Sequence, residues 1–201
     1  MKTTIIIILI LISAFVILQS FVSRSTKKTE LQKYKVLEKD GDFEIRHYPQ
    51  SVMATVDMNE TTYKKMSGKG FRALANYIFG GNEKEKSIAM TSPVHMQFTD
   101  TSSSMSFVMP SDYKMEELPK PNNPQVKIHN AEEEIVAAIR YGGYSSDEDI
   151  KMYTEKLKGI LEKKNIKTIG PFRYLGYNPP YEVFGRRNEV IVKIEYNKPN
   201  E

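Results

Sequence analysis

The sequence has no cysteine, no tryptophan and only three histidines among its 201 residues. Without cysteine, the protein has no disulfide framework, no cysteine-ligated zinc or iron–sulfur cluster and no thiol nucleophile. The histidines, His47, His95 and His129, are not spaced as a metal-chelating pair on a helix. The sequence also has no Ser/His/Asp order and no nucleophile elbow. We therefore predict a protein with no catalytic residue, which is not an enzyme, and with no metal site of its own.

A strong charge of one sign is also missing. The net charge is +4, and lysine alternates closely with glutamate, as in the run Glu83–Lys86. A nucleic-acid-binding protein usually carries a basic patch that is not neutralised locally. The sequence therefore predicts no nucleic-acid partner.

One long apolar run stands at the N-terminus. From Thr3 to Val22 the chain is uncharged and rich in Ile, Leu, Val and Phe. As a helix, this run would span roughly the 30 Å hydrocarbon core of a bilayer. The small-x-small site that ends a secretory signal is poorly matched near Ser20 and Ser23. The sequence therefore favours a single-pass membrane anchor for residues 1–23; a cleaved signal, which would lead to export, is the alternative, and the side of the membrane stays undecided.

The rest of the chain divides into a linker and one domain. Residues 24–33 are polar and lack periodicity, which predicts a linker. Residues 34–197 are predicted to form one α+β domain. Within it, an offset of 83 residues superimposes apolar positions, for example Ile45 on Ile128, Ala54 on Ala137 and Phe107 on Val190. This coincidence predicts two copies of a β-α-β-β unit.

A helix is predicted in each copy. The first, about Thr62 to Phe79, carries an apolar face but contains Gly68 and Gly70, each of which costs about 1 kcal/mol relative to alanine. Either a flat ligand or ordinary packing against the sheet explains these glycines. The second helix begins at a capping box formed by Ser146 and Asp149.

Several ordered motifs along the domain resemble the SOUL haem-binding family. They cover about Tyr34 to Tyr196 and include Arg46-His47-Tyr48, Phe71-x-x-Leu74-x-x-Tyr77-Ile78, Ala89-Met90-Thr91-Ser92-Pro93-Val94, Gly176-Tyr177-Asn178-Pro179-Pro180 and Gly185-Arg186-Arg187-Asn188-Glu189. The resemblance implies a distorted antiparallel β-barrel with two flanking helices. It also implies non-covalent binding of haem or another tetrapyrrole in an apolar cleft, for transport, buffering or sensing.

The resemblance also implies site residues. His47, in the R-H-Y motif, is the candidate axial ligand of the haem iron, and a cleft over the first helix is the second mode of binding in the family. The candidate pocket residues on that helix are Met66, Phe71, Leu74 and Ile78. The candidate partners of the propionates are Lys65, Lys69 and Arg186.

The sequence departs from the family pattern at Phe43, Ser87 and Ser92, and in its apolar N-terminus. The same fold resembles effector-binding domains of transcriptional regulators, but the linker 24–33 is too short for a helix-turn-helix. The alternative function is therefore a membrane-anchored binder of another small amphipathic molecule, and an enzyme that acts on tetrapyrroles is a third possibility. The physiological tetrapyrrole, its affinity, the oligomeric state and any protein partner stay open.

Overall fold

A computed structural model describes residues 2–99 and 102–196 of the chain. The predicted end of the domain at Asn197 lies outside these residues. The first element is helix α1, Lys2–Lys28. Its stretch Lys2–Thr26 is long and apolar enough to cross a membrane, and only 6% of its most apolar window is buried against the rest of the protein.

The segment expected to be a linker is ordered. Helix α1 continues to Lys28, and strand β1 (Glu30–Leu31) pairs in parallel with β5 (Thr91–Ser92). The backbone N–H of Gln32 also donates to the carbonyl oxygen of Ser92 at 2.8 Å. Polar side chains suggested a flexible segment, but backbone pairing needs no apolar side chains. The folded domain therefore begins at about Thr29, before the predicted boundary at Tyr34.

A nine-stranded antiparallel sheet forms the body of the domain, in the order β2-β3-β9-β11-β10-β6-β7-β4-β8. Its strands are β2 (Lys35–Asp40), β3 (Phe43–Tyr48), β4 (Ser51–Met58), β6 (Val94–Phe98), β7 (Ser103–Val108), β8 (Val126–Ala131), β9 (Glu134–Tyr141), β10 (Thr168–Gly176) and β11 (Asn188–Ile194). The α+β class is confirmed. Strands β2 and β8 are the two edges and do not pair with each other in the described residues, so the sheet is an open form of the expected barrel.

The internal duplication is visible in the strand order. Each copy contributes two strands, a helix and two strands, and the order β3-β9-β11-β10 is mirrored by β8-β4-β7-β6. Ile45 pairs with Ala137 and Ala54 pairs with Ile128, which is the register that the 83-residue offset requires. The two copies are therefore related by an approximate two-fold.

The offset changes in the last strand of each copy. Val56 pairs with Met105, whereas its counterpart Ile139 pairs with Val190. Met105 therefore corresponds to Val190, and the predicted match of Phe107 with Val190 is wrong by two residues. A shift of two residues keeps side chains on the same face of a strand, which is why the apolar pattern did not reveal it.

Both helices cover one face of the sheet. Helix α2 (Tyr63–Ile78) packs on β4, β7 and β8, and helix α3 (Asp147–Lys163) packs on β9, β10 and β11. The predicted capping box is present, since the Ser146 side chain accepts from the backbone N–H of Asp149 and the carboxylate of Asp149 accepts from that of Ser146. The main apolar core lies between these helices and the sheet.

Candidate functional site

His47 lies near the end of β3, two residues before Pro49. Its side chain is 35% exposed, and its Nε2 atom lies 3.2 Å from Oε2 of Glu133. The Glu133 side chain is itself 73% exposed, so this contact is weak and easily exchanged with water. The imidazole is accessible, and its role as an iron ligand stays a prediction.

The predicted pocket residues of α2 separate into two groups. Met66, Leu74 and Ile78 are at most 1% exposed and belong to the main core. They line no open cleft, because the apolar face of an amphipathic helix is the face that packs on the sheet. Phe71 is 39% exposed, and its ring contacts the ring of Phe107 edge-on at 5.3 Å. Only Phe71 of this set is available to a ligand in this structure.

Gly70 explains part of the same packing. A Cβ atom at Gly70 would lie 2.7 Å from Cε of Met58 and 3.2 Å from Cβ of Met105. The sheet therefore approaches the helix at this glycine, which favours the packing interpretation over a flat ligand. Gly68 has no atom within 4 Å of such a Cβ and faces open space.

The predicted cationic residues do not form one cluster. Lys65 is exposed, and Nζ of Lys69 lies 3.7 Å from Oε1 of Glu60. Arg186 lies elsewhere, because its Nη1 atom donates to the carbonyl oxygens of Pro179 and Glu182 within its own loop. Lys65 is exposed to solvent and Lys69 lies in a weak, exposed pair with Glu60, whereas Arg186 is engaged in holding a loop.

A cleft of about 420 Å³ lies at the end of the sheet, next to the turn that follows His47. Its walls come from the segment after β1, the β3–β4 turn, the end of β7 and the segment that includes the short 3-10 helix Met115–Glu117. Apolar or aromatic and polar residues line it in similar numbers: Pro49, Val52, Val108, Met109, Pro110, Tyr113 and Met115, with Glu30, Gln32, Lys33, Gln50, Ser51, Ser111, Lys114, Glu116 and Asn130. Sequence reasoning missed this cleft because its walls are loops that are far apart in the chain.

The charge of the cleft is mixed. Glu30 and Glu116 line it together with Lys33 and Lys114. Oε1 of Glu30 accepts from the backbone N–H of Ser111 at 3.0 Å, so this carboxylate is partly satisfied by the protein. The arrangement can receive an apolar ligand that carries acidic groups at one edge. The cleft volume also lies in the ordinary range for small-molecule sites, about 300–1,000 Å³.

His95, on β6, connects the segment that follows β1, one wall of the cleft, to the sheet. Its Nε2 atom lies 2.7 Å from Oε1 of Gln32, a residue that lines the cleft. His95 is 5% exposed, and burial lowers its pKa to about 3, with a further contribution from Arg173. The ring is therefore neutral near pH 7, and its Nε2–H donates to Gln32. Its role is to hold the segment after β1 in place.

A buried charged network on the face of the sheet opposite the helices was not predicted. Arg46 donates to both carboxylate oxygens of Glu189, at 2.6 and 2.9 Å, and Arg187 donates to the same carboxylate at 2.8 and 2.9 Å. The hydroxyl of Tyr177 donates to Glu189 at 2.8 Å. The side chains of Arg46 and Glu189 are 1% and 0% exposed. We call this set of residues the Glu189 network.

Ionic bonds keep Glu189 charged. Burial alone raises the pKa of this carboxyl group, but hydrogen bonds and charge attraction from Arg46 and Arg187 outweigh burial and leave its pKa below the ordinary value of 4.5. No group of three or more metal-ligating side chains occurs in the part of the chain that the structure describes. The Glu189 network therefore joins β3 to β11 through buried ionic hydrogen bonds.

Comparisons with known proteins agree on one family. The family model described as SOUL heme-binding protein matches residues 29–193. Heme-binding protein 2 of Homo sapiens is 30% identical over 171 residues, covering 80% of this chain and 83% of the relative. Heme-binding protein 1 of Xenopus laevis is 29% identical over 161 residues, covering 76% of this chain and 84% of the relative.

A solved structure shares the fold. The crystal structure of the EcmrR C-terminal domain aligns with a TM-score of 0.59 at 8% identity, covering 81% of this chain and 98% of that chain. At this identity the likeness concerns the fold alone. The family match, in contrast, spans the whole folded domain, and this chain belongs to the SOUL heme-binding protein family.

Proposed function

We propose that this protein binds haem or a related tetrapyrrole non-covalently, as a binding protein and not as an enzyme. The observation that carries the proposal is the family match over residues 29–193, which includes every residue that lines the 420 Å³ cleft. Two relatives at about 30% identity are named as heme-binding proteins. Transport, buffering or sensing are the roles that such binding serves.

We place the tetrapyrrole in this cleft. Its exposed apolar side chains, such as Met115, suit the porphyrin plane, and each that a ligand newly buries contributes up to about 1.5–3 kcal/mol, whereas Val108 and Met109 are already buried. Lys33 and Lys114 suit the two propionates, each exposed pair contributing at most about 1 kcal/mol. His47 is near in sequence but is not itself a lining residue. Apolar contact therefore supplies most of the affinity, and an iron bond from His47 would need its imidazole to turn away from Glu133 toward the cleft.

The test is a titration of the full-length protein with hemin, followed by the Soret band, and with protoporphyrin, followed by its fluorescence. Met115→Glu places a charge on the cleft wall at a side chain that is 39% exposed and should weaken both ligands strongly. Met152→Glu is the matched control, because Met152 is 55% exposed on α3 and does not line the cleft. Equal affinities for the two variants would contradict the placement.

Helix α2 offers the competing position. Phe71→Glu, tested in the same titration, reports on the partly exposed edge of the apolar face of α2, next to Phe107. If Phe71→Glu abolishes binding and Met115→Glu does not, the ligand lies over α2. If neither hemin nor protoporphyrin saturates the protein while an apolar fluorescent probe does, the protein binds another amphipathic molecule.

Helix α1 is proposed to remain on the mature protein as a single-pass anchor. Gln19, inside this helix, is 8% exposed and forms hydrogen bonds with the loop that follows β10. A signal that is cleaved off has no need of contacts with the domain that it leaves. Resistance to carbonate extraction, together with the intact mass of the mature chain, tests this proposal, and a chain that starts beyond residue 20 would overturn it.

A further inference from the structure

Gln19 is the point at which the apolar helix meets the domain. Its Nε2 atom donates to the carbonyl oxygen of Tyr181 at 3.1 Å, and its Oε1 atom accepts from the backbone N–H of Val183 at 3.0 Å. Both ends of the amide are therefore satisfied by one loop. Because an unpaired amide in an apolar medium is costly, these two bonds fix the loop against the helix.

The position of Gln19 along the helix gives the depth of the loop. The apolar run continues to Val22, and the first charged residue after it is Arg24. With a rise of about 1.5 Å per residue, Gln19 lies roughly 7 Å from Arg24 along the axis, on the apolar side. If Arg24 lies among lipid headgroups, the loop reaches the boundary between headgroups and acyl chains.

The side chains that this loop presents are apolar and aromatic. Tyr181 is 65% exposed, Phe184 is 60% exposed and Val183 is 38% exposed. Tyr144 is 57% exposed, and its hydroxyl donates to the carbonyl oxygen of Pro180 at 3.2 Å, which adds a third aromatic ring. Aromatic side chains of this kind are enriched at membrane interfaces.

The loop presents no acidic group and is held rigidly. Its carboxylate, Glu182, is 3% exposed and accepts from Nδ2 of Asn178 at 2.9 Å. Arg186 donates to two carbonyl oxygens of the loop, and its guanidinium lies 4.3 Å from the centre of the Tyr144 ring. These bonds hold the backbone of the loop, so docking it at a surface costs little backbone conformational entropy.

Given the anchoring proposed above, we propose that the loop Pro179–Gly185, together with Tyr144, docks the domain on the lipid bilayer at the glycerol and upper acyl-chain level. Two bonds hold the loop against the surface of α1, so the medium that surrounds this part of α1 also contacts the loop. The docked loop gives the domain a fixed orientation on the membrane in place of free rotation on a tether.

Because the chain contains no tryptophan, the fluorescence of a single introduced tryptophan reports on one position. Phe184→Trp and, independently, Tyr181→Trp each give the full-length protein a single tryptophan on the loop. Phe79→Trp is the matched control, since Phe79 is 66% exposed at the end of α2, roughly 24 Å along that helix from Tyr63. Tyr63, at the opposite end of α2, donates its backbone N–H to the carboxylate of Asp147, a residue close in sequence to Tyr144 of the proposed docking surface.

Each protein is reconstituted into phosphatidylcholine vesicles with and without lipids brominated on the upper acyl chain. We expect the loop tryptophans to be quenched several-fold more strongly than the tryptophan at position 79, and to emit at shorter wavelength. Adding Gln19→Leu to Phe184→Trp should reduce the quenching, because the loop loses its bonds to α1.

Three results would overturn the inference. Equal quenching at positions 184 and 79, in protein that resists carbonate extraction, means that the anchor is correct and the docking is wrong. Loop tryptophans with short-wavelength emission but no bromolipid quenching mean that protein covers the loop, from a second copy or a partner. Protein that carbonate removes from the vesicles refutes the anchor, and the docking with it.

Discussion

The Glu189 network provides the sharpest test of what holds this fold together. Glu189→Gln keeps the shape of the side chain but removes its charge and replaces one acceptor by a donor. Arg46, with 1% of its side chain exposed, then keeps its bonds to Glu44, at 2.7 Å, and to the hydroxyl of Tyr48, at 3.4 Å, and has one neutral amide oxygen in place of a carboxylate. Arg187 keeps its bond to the hydroxyl of Tyr34, at 2.8 Å. The guanidinium groups of Arg46 and Arg187, which are buried and partly buried, then face a side chain that no longer carries a negative charge.

The expected cost follows from the burial of the pair. Removing one partner of a buried ion pair destabilises a protein by about 3–5 kcal/mol, because the other charge stays desolvated. Arg46→Met should cost less, since Glu189 then keeps Arg187, and Glu44 keeps Lys39 at 3.0 Å. The double variant with Glu189→Leu and Arg46→Met should cost less than the sum of its single changes, by about 0.5–3 kcal/mol of coupling.

The assay is urea unfolding of the full chain in detergent micelles, followed by near-ultraviolet circular dichroism of the tyrosines. This signal reports on the domain, because α1 contains no tyrosine. Lys127→Gln is the control, since its partner Asp57 is 62% exposed and an exposed pair contributes at most about 1 kcal/mol. A Glu189→Gln cost below that of the control would refute the reasoning.

Three further predictions concern single residues. The pKa of His95 is about 3 in the folded protein and 6.5 in the unfolded chain, so the unfolded chain binds the proton first as the pH falls. The free energy of unfolding should therefore decrease below pH 6.5, by up to about 1.4 kcal/mol per pH unit, and urea titrations of His95→Gln should show a smaller slope. Gly68→Ala should increase the free energy of unfolding by about 0.5–1 kcal/mol and raise the melting temperature, while Gly70→Ala should gain less, because its new Cβ would lie 2.7 Å from Cε of Met58 and 3.2 Å from Cβ of Met105 and the Met58 side chain must move. His47→Ala should shift the Soret maximum but change hemin affinity by about tenfold or less, about 1.4 kcal/mol, and complete loss of binding in a folded variant would show that the iron bond dominates.

The elements of this fold could be predicted where one local signal decided the outcome. The capping box at Ser146 set the start of α3, and the apolar face of the first helix predicted α2 within one residue at each end. Strand β2 was missed because it is an edge strand with mostly exposed side chains, so its pattern is not apolar. Pairing of Glu30–Leu31 was missed for the same reason.

The candidate site was harder to predict because the sequence pattern does not show how deeply each side chain is buried. Met66, Leu74 and Phe71 lie on one predicted apolar face, and only Phe71 remains exposed once α2 packs on the sheet. Arg186 and Arg187 are adjacent, yet one braces a loop and the other enters the Glu189 network. Which neighbour a charged side chain finds depends on contacts across the chain, and no single-sequence pattern reports these.

The R-H-Y motif identifies the family correctly, but haem ligation does not account for all three of its residues. Side chains alternate along a strand, so Arg46 and Tyr48 point to the face opposite the helices and His47 points to the helix face. Arg46 and Tyr48 are buried there, at 1% and 2% exposure, and Arg46 donates to the carboxylate of Glu189, the last residue of the motif Gly185-Arg186-Arg187-Asn188-Glu189. Two of the three motif residues are thus explained by the stability of the fold, without any ligand. Presence of the motif supports the family, whereas a role for His47 in haem binding needs the spectrum of the His47→Ala variant.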